Sequence, residues 1–83
     1  MTDSRIPTVA LRTATDDDAR VLHALSALDS APRIARPAVL AVVDDEPVAA
    51  ISLADGRVVA DPFEPTAQVV ELLRRRASLL KAA

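Results

Sequence analysis

Residues 61–68 join a predicted strand to a predicted helix, a position where many α/β proteins hold a phosphate on free backbone N–H groups beside glycines. Here the segment reads Asp-Pro-Phe-Glu-Pro-Thr-Ala-Gln and contains no glycine. Pro65 has no N–H to donate, and the carboxylate of Glu64 would repel a phosphate at close range. If Thr66 capped the helix, its side chain would occupy a further amide. The segment is therefore predicted not to bind an anion.

Two single ionisable residues are the next candidates for chemistry. Asp61 ends a predicted strand, where a general base would need a pocket and a pKa near the working pH. The alternative interpretation, which we favour, is a turn-forming residue before Pro62. His23 is the only histidine and lies on the polar side of a predicted helix. We interpret it as a surface residue without a partner for metal or triad chemistry.

The remaining charged candidates are two acidic clusters and two groups of arginines. The clusters at 16–18 and 44–46 lack the alternating ligands and the glycine of a calcium loop. We interpret them as a charged first helical turn and a solvated turn. The arginines could contact nucleic-acid phosphates, but no aromatic residues accompany them, and a solvated surface is the favoured interpretation. These arginines are Arg33, Arg36, Arg74, Arg75 and Arg76.

Arg76 differs from the other arginines because, at 100° per residue, it falls within the apolar arc predicted for the last helix. A charge in that position must extend to water or meet a carboxylate. One interpretation is an intramolecular acidic partner. The other is that this helix face forms part of an interface, where arginine is enriched.

The composition predicts one small domain. The chain has 83 residues, 51% hydrophobic, with Phe63 as its only aromatic residue. Such a core of small aliphatic side chains is thin, so we expect a partner surface to supply part of the burial. There is no cysteine, no long apolar segment and no signal-peptide pattern, which is typical of a cytoplasmic protein. A net charge of −2 argues against nucleic-acid binding, and the usage of Ala, Arg, Asp and Val is typical of bacteria.

The apolar periodicity predicts a disordered tail over residues 1–7 and a single α+β domain over 8–83, in the order β-α-β-β-β-α. The run over 38–43 is continuously apolar and predicts a strand covered on both faces. Residues 44–47 are predicted to form a turn, and Asp55-Gly56 a hairpin. The apolar stripe of the first helix is predicted at Val21, Leu22, Leu25 and Leu28. Strands are predicted over 8–13, 38–43, 48–53 and 57–60, and helices over 15–29 and 64–81.

Several of these runs resemble a known family. Val9-Ala10-Leu11-Arg12-Thr13-Ala14-Thr15, followed by Asp18-Ala19 and the leucine stripe, is similar to the first strand and helix of GNAT-type N-acetyltransferases. Residues 39–43, the acidic turn and 48–53 resemble that family's second and third strands. Residues 58–62 and 69–73 resemble its fourth strand and the helix after it. The resemblance spans residues 8–82 but only the N-terminal half of that fold. It implies a mostly antiparallel four-stranded sheet in sequential order, with the fourth strand as an open edge.

The sequence also departs from the family. Members hold the acyl-CoA pyrophosphate on an Arg/Gln-x-x-Gly-x-Gly/Ala loop, and the matching span over 64–68 has no glycine. The chain lacks the family's fifth strand and the tyrosine that often acts as an acid. The second helix of the family is reduced to a loop over 30–37.

We therefore expect a non-catalytic interaction or structural module with no catalytic, cofactor or metal site. It would pair with itself or serve as a small subunit of a larger complex, through the open edge or the last helix. The alternative is an acyl-CoA-binding N-acetyltransferase-like protein completed by a partner chain. The candidate interaction residues are Arg57, Val59, Phe63, Arg76 and Leu80.

Overall fold

A computed structural model of the chain describes the backbone of residues 8–82 and the side chains of residues 8–80, so the predicted tail over 1–7 lies outside the described residues. The predicted order of elements is confirmed. None of the helices within residues 8–82 is long and apolar enough to span a bilayer. The elements are β1 (Val9–Thr13), a 3-10 turn (Asp16–Asp18), α1 (Ala19–Leu28), β2 (Ala38–Val43), β3 (Glu46–Ser52), β4 (Val58–Ala60) and α2 (Ala67–Ala82).

The four strands form one antiparallel sheet in the order β1-β2-β3-β4, as predicted. β1 pairs with β2 along its whole length, with Val9 opposite Val43 at one end and Thr13 opposite Val39 at the other. β1 and β4 are the two edges of the sheet. Each strand pairs with its neighbour in sequence; turns join β2 to β3 and β3 to β4, whereas α1 lies in the connection from β1 to β2.

β2 carries the core on both of its faces, which explains its continuous apolar run. Because side chains alternate across a strand, Ala38 and Leu40 pack against α1 and the loop after it, while Val39 and Ala41 pack beneath α2. The core on the α1 side comprises Ala14, Leu22, Leu25, Ile34, Ala38, Leu40, Ala50 and Val59. The core on the α2 side comprises Val39, Ala41, Val48, Ala49, Ile51, Val69, Leu73 and Ala77.

The turn between β2 and β3 is shorter than predicted. Only Asp44 and Asp45 form it, with positive φ angles of 49° and 70°, and β3 begins at Glu46 rather than at 48. Two consecutive residues with positive φ are the geometry of a tight type I′ hairpin. Pro47 is accommodated in β3 because the β2–β3 pairing is irregular there, with a register shift between Ala41 and Val42.

The apolar stripe predicted for α1 was wrong at one position. Leu28 is exposed, whereas Ser26, which is not among the four predicted stripe residues, is buried. The hydroxyl of Ser26 donates to the carbonyl of Leu22 at 2.7 Å and accepts the N–H of Ile34 at 3.2 Å. These bonds satisfy the hydroxyl and fix the following loop, so Ile34 becomes a core residue.

Candidate functional site

The junction between β4 and α2 has no free backbone donor from Asp61 to Pro65. The N–H of Asp61 donates to Val48 O at 2.8 Å. The N–H groups of Phe63 and Glu64 donate to Asp61, one to its side-chain Oδ1 at 2.8 Å and the other to its carbonyl at 3.2 Å. Pro62 and Pro65 have no N–H. Asp61 therefore acts as the turn-forming residue that we favoured, and it organises a bend that offers an anion no amide.

α2 begins at Ala67, so the prediction that residues 64–66 start the helix was wrong. The first helical bond runs from Val70 N to Thr66 O at 2.8 Å. Asp61 draws the N–H groups of Phe63 and Glu64 into the bend, which leaves Pro65 outside the helix. Among the described residues, Thr66 Oγ1 makes no hydrogen bond, so the side-chain cap that the sequence allowed is not formed.

An open groove of about 560 Å³ lies where the first turn of α2 crosses the end of the sheet. Val9, Val43 and Val48 form its floor on β1, β2 and β3, and residues 64–69 form its wall. The amides of the first helical turn border the groove, but the carboxylate-bearing Glu64 lies beside them. Its valines make the groove a better match for apolar side chains than for a diphosphate.

The predicted interaction residues lie in different environments. Phe63 is 80% exposed and Leu80 is 43% exposed. Arg76 is also exposed, so its charge extends to water, as a charge within the apolar arc must if it meets no carboxylate. The helix buries Val69, Leu73 and Ala77. Because these residues are four apart, the centre of the buried face is rotated away from Arg76. Among residues 8–80 no acidic side chain pairs with it.

Val59 and Arg57 serve the domain's own structure. Val59 is fully buried and offers a partner no side-chain surface. Arg57 donates from Nη1 to Pro32 O at 3.2 Å and from Nη2 to Arg33 O at 3.3 Å. Its Nε contacts Asp55 Oδ2 at 3.0 Å. Arg57 thus ties the loop after α1 to the β3–β4 hairpin.

α2 carries a second, exposed set of apolar side chains on one flank. Leu79 is 66% exposed, and Leu72 is 41% exposed. At 100° per residue both lie about 60–80° to one side of Val69, the side that also carries Gln68, which borders the groove. Val70 lies on the opposite side and is partly buried. The exposed flank therefore begins at the groove, which Val9 of β1 also borders, and α2 itself packs mainly on β2 and β3.

Among the ion pairs within residues 8–80, the one with the most buried carboxylate joins Arg12 on β1 to Asp18, which is only 5% exposed. Arg12 donates from Nη1 and Nη2 to the two carboxylate oxygens at 2.6 and 2.8 Å. The bonds from Arg12, followed by the N–H of Thr15, hold the pKa of Asp18 well below its usual range. The sequence predicted Asp18 to be one of three charges in the first helical turn, without a specific partner. A Thr-x-x-Asp capping pattern, Thr15 to Asp18, was the signal that could have identified it.

The other charged candidates lie on the surface. His23, Asp16 and Asp17 are exposed, as the sequence predicted. Arg36 pairs with Asp16. Within the part of the chain that the structure describes, no group of three or more His, Asp or Glu side chains is arranged to hold a metal ion.

No protein-family model, curated protein or solved structure matches this chain. The similarity to GNAT-type N-acetyltransferases stays a prediction from the sequence. The function is therefore inferred from the geometry of the groove, the α2 flank and the sheet edges.

Proposed function

We propose that this protein is a non-catalytic interaction module of the cytoplasm, which pairs with itself or acts as a small subunit of a larger complex. In this proposal the fold corresponds to half of a GNAT-like domain that has lost its ligand chemistry. Surfaces that would be covered in a larger fold are used to bind protein.

The exposed apolar flank of α2 is the observation that carries the proposal. Leu72 and Leu79 on this flank are 41% and 66% exposed, Leu80 near the C-terminal end of the helix is 43% exposed, and Phe63 before the helix is 80% exposed. Single exposed apolar residues are common, but a group of them beside an apolar groove is typical of an interaction site. A domain of 83 residues also needs most of its apolar side chains for its own core, so a group of them on the surface indicates a partner.

The junction supports this function over acyl-CoA binding. Pyrophosphate recognition needs several amides that point at one place, and the bend from Asp61 to Pro65 has used or lost each of its own. The alternative function, acyl-CoA binding completed by a partner chain, draws support from the groove at the first turn of α2. It requires that a partner supply most of the phosphate donors.

Association is tested by light scattering and by capture of partners from a lysate of the source cell, with identification by mass spectrometry. The test variant is Leu72→Ser/Leu79→Ser, and the matched control is Ala24→Ser/Ala27→Ser at exposed positions of α1. We expect the first variant to lose the dimer or the captured protein and the second to keep it. A monomeric wild-type protein that captures nothing would overturn the proposal.

The acyl-CoA alternative is tested by thermal denaturation with acetyl-CoA. A ligand present at 100 times its dissociation constant adds about 2.7 kcal/mol to the free energy of unfolding, a large shift for a small domain. We expect no shift for the isolated chain. A clear rise in Tm that Ala67→Pro removes would favour the alternative, since proline at that position deletes a first-turn donor.

A further inference from the structure

The outer edge of β1 carries a regular row of backbone groups. Asp44 N donates to Thr8 O and Ala14 N donates to Ala38 O, so the even-numbered residues of β1 face β2. The N–H and C=O groups of Val9, Leu11 and Thr13 consequently point away from the sheet. Within residues 8–82 none of them has a hydrogen-bond partner. Such an edge is a template for another strand.

The opposite edge of the sheet is shorter and partly closed. In β4 the bonds Ser52 N to Arg57 O and Asp61 N to Val48 O direct the odd-numbered residues toward β3. Val58 and Ala60 therefore face outward, and the N–H of Ala60 already donates to Asp29 Oδ2 at 3.2 Å. The end of α1 thus partly covers the fourth-strand edge, which the sequence predicted to be open. β1 is the longer edge, and its outward backbone groups have no partner within residues 8–82.

We propose that two copies of this chain pair through β1, antiparallel and centred on Leu11, to form one continuous sheet across a two-fold axis. This proposal rests on the proposed function and names its partner and its surface. Centring on Leu11 places Val9 of each copy opposite Thr13 of the other. All three outward-facing residues then form hydrogen-bonded pairs, as an antiparallel ladder requires.

The side chains of β1 are compatible with this pairing. Val9, Leu11 and Thr13 lie on the α2 face, where Val9 borders the apolar groove and Leu11 packs against the core. The pairing would extend that apolar floor from one copy to the next. It also brings the exposed flanks of the two α2 helices, with Leu72 and Leu79, to the same face of the joined sheet.

The charge on β1 does not oppose the pairing. Arg12 is the only charged residue of the strand, and its guanidinium is bound to Asp18 on the α1 face. In the proposed register Arg12 lies opposite Ala10 of the other copy, not opposite a second Arg12. Charged side chains are a common protection of sheet edges, and this edge has its one charge already neutralised.

A charge-swap pair tests both the surface and the register. Val9→Lys/Thr13→Lys places two lysines opposite each other in each of the two symmetric pairs, whereas Val9→Lys/Thr13→Glu places opposite charges there. Within one copy positions 9 and 13 are roughly 13 Å apart along the strand, so the two variants should fold with similar stability. Ala24→Lys/Ala27→Lys on exposed α1 positions controls for added charge.

We expect wild-type protein at twice the monomer mass of 8.8 kDa in sedimentation equilibrium. The Lys/Lys variant should weaken the dimer at least about tenfold relative to the Lys/Glu variant, and the α1 control should dimerise like wild type. A dimer that responds equally to the two charge variants would overturn pairing at β1 while leaving the proposed interaction function intact. A wild-type monomer that binds a different protein would also overturn self-pairing, and a monomer that binds nothing would overturn both proposals.

Discussion

Arg12 and Asp18 form a two-pronged ion pair that joins β1 to the turn before α1, with Nη–Oδ distances of 2.6 and 2.8 Å. Thr15 N adds a third bond to Asp18 Oδ2 at 2.7 Å. The carboxylate is buried, whereas the guanidinium is about half exposed. The pair therefore fixes the corner at which the chain leaves the sheet and begins its first helix.

Removing the Arg12 guanidinium should lower the free energy of unfolding more than a substitution on an edge strand usually does. Arg12→Ala leaves the Asp18 carboxylate buried with fewer donors, and we expect a loss of about 2 kcal/mol in the free energy of unfolding. Arg12→Lys should recover only part of this loss, because an ammonium keeps the charge but cannot make the two parallel hydrogen bonds. Urea denaturation measures both, with Arg75→Ala as an exposed control expected within about 0.5 kcal/mol of wild type. Equal stability of Arg12→Ala and wild type would contradict a structural role for the pair.

Asp18 should also contribute to the fall in the free energy of unfolding at low pH, the acid limb of the stability curve. Its folded pKa lies below its unfolded value of 3.8 because Arg12 and Thr15 stabilise the carboxylate. The stabilisation is therefore fully present above that unfolded pKa and is lost as the pH falls from it toward the folded value. Denaturation at pH 6, 4 and 3 should show a smaller decline for Asp18→Asn than for wild type.

Asp55 provides the comparison for that experiment. Its bonds with the backbone N–H and side chain of Arg57 lower its pKa to about 2. Its side chain is half exposed, so solvent and salt screen the interaction. Asp55→Asn should change the acid limb less than Asp18→Asn does, and the difference should widen in 0.5 M salt. An equal effect of the two substitutions would contradict this assignment.

Substitutions at two leucines of α2 should distinguish a contribution to folding from a contribution to association. Leu73 is fully buried and Leu79 is 66% exposed. Leu73→Ala should cost between about 2 and 5 kcal/mol of unfolding free energy, whereas Leu79→Ala should stay within about 0.5 kcal/mol. Thermal or urea denaturation at low protein concentration measures the folding term. A large loss of stability for Leu79→Ala in the monomer would mean that this residue belongs to the core.

Arg57 is expected to act through the loop that it holds. Arg57→Lys keeps the charge but cannot reach both Pro32 O and Arg33 O in the same geometry. We expect a loss of about 1 kcal/mol and faster hydrogen exchange in residues 30–37. An unchanged exchange rate together with lost association would instead place Arg57 at a partner interface.

The hairpin at Asp44-Asp45 leaves room for stabilisation. Asp45 has a φ of 70°, which costs a non-glycine residue free energy that glycine does not incur. Asp45→Gly gives an Asp-Gly pair, the preferred sequence of a type I′ turn, and should raise the free energy of unfolding by about 0.5–1 kcal/mol. Gly56, with a φ of 77° and open space around it, is the reverse control: Gly56→Ala should destabilise by a similar amount. A destabilised Asp45→Gly protein would mean that its carboxylate has a structural role.

Local patterns were sufficient to predict the order of elements, whereas the order of strands in the sheet was implied by the resemblance to a family. The alternation in β1, the continuous apolar run of β2 and the Asp55-Gly56 turn each depend on residues close together in the chain, and all three are found in the fold. The predictions that failed depended on distant partners. Ser26 is buried because its hydroxyl reaches the loop at Ile34, and α2 begins only at Ala67, after a bend in which Asp61 accepts the N–H groups of Phe63 and Glu64.

The sequence alone determined that a two-sided core forms on β2 and that Pro62 and Pro65 give the segment after β4 no N–H groups, because side-chain periodicity and residue type are local properties. Tertiary contacts decided which edge of the sheet is left open. Asp29 reaches Ala60, and Arg57 reaches the loop after α1, across separations in sequence that no short pattern reports. The bond from Ala60 to Asp29 partly closes the β4 edge, whereas the outward backbone groups of β1 have no partner within residues 8–82.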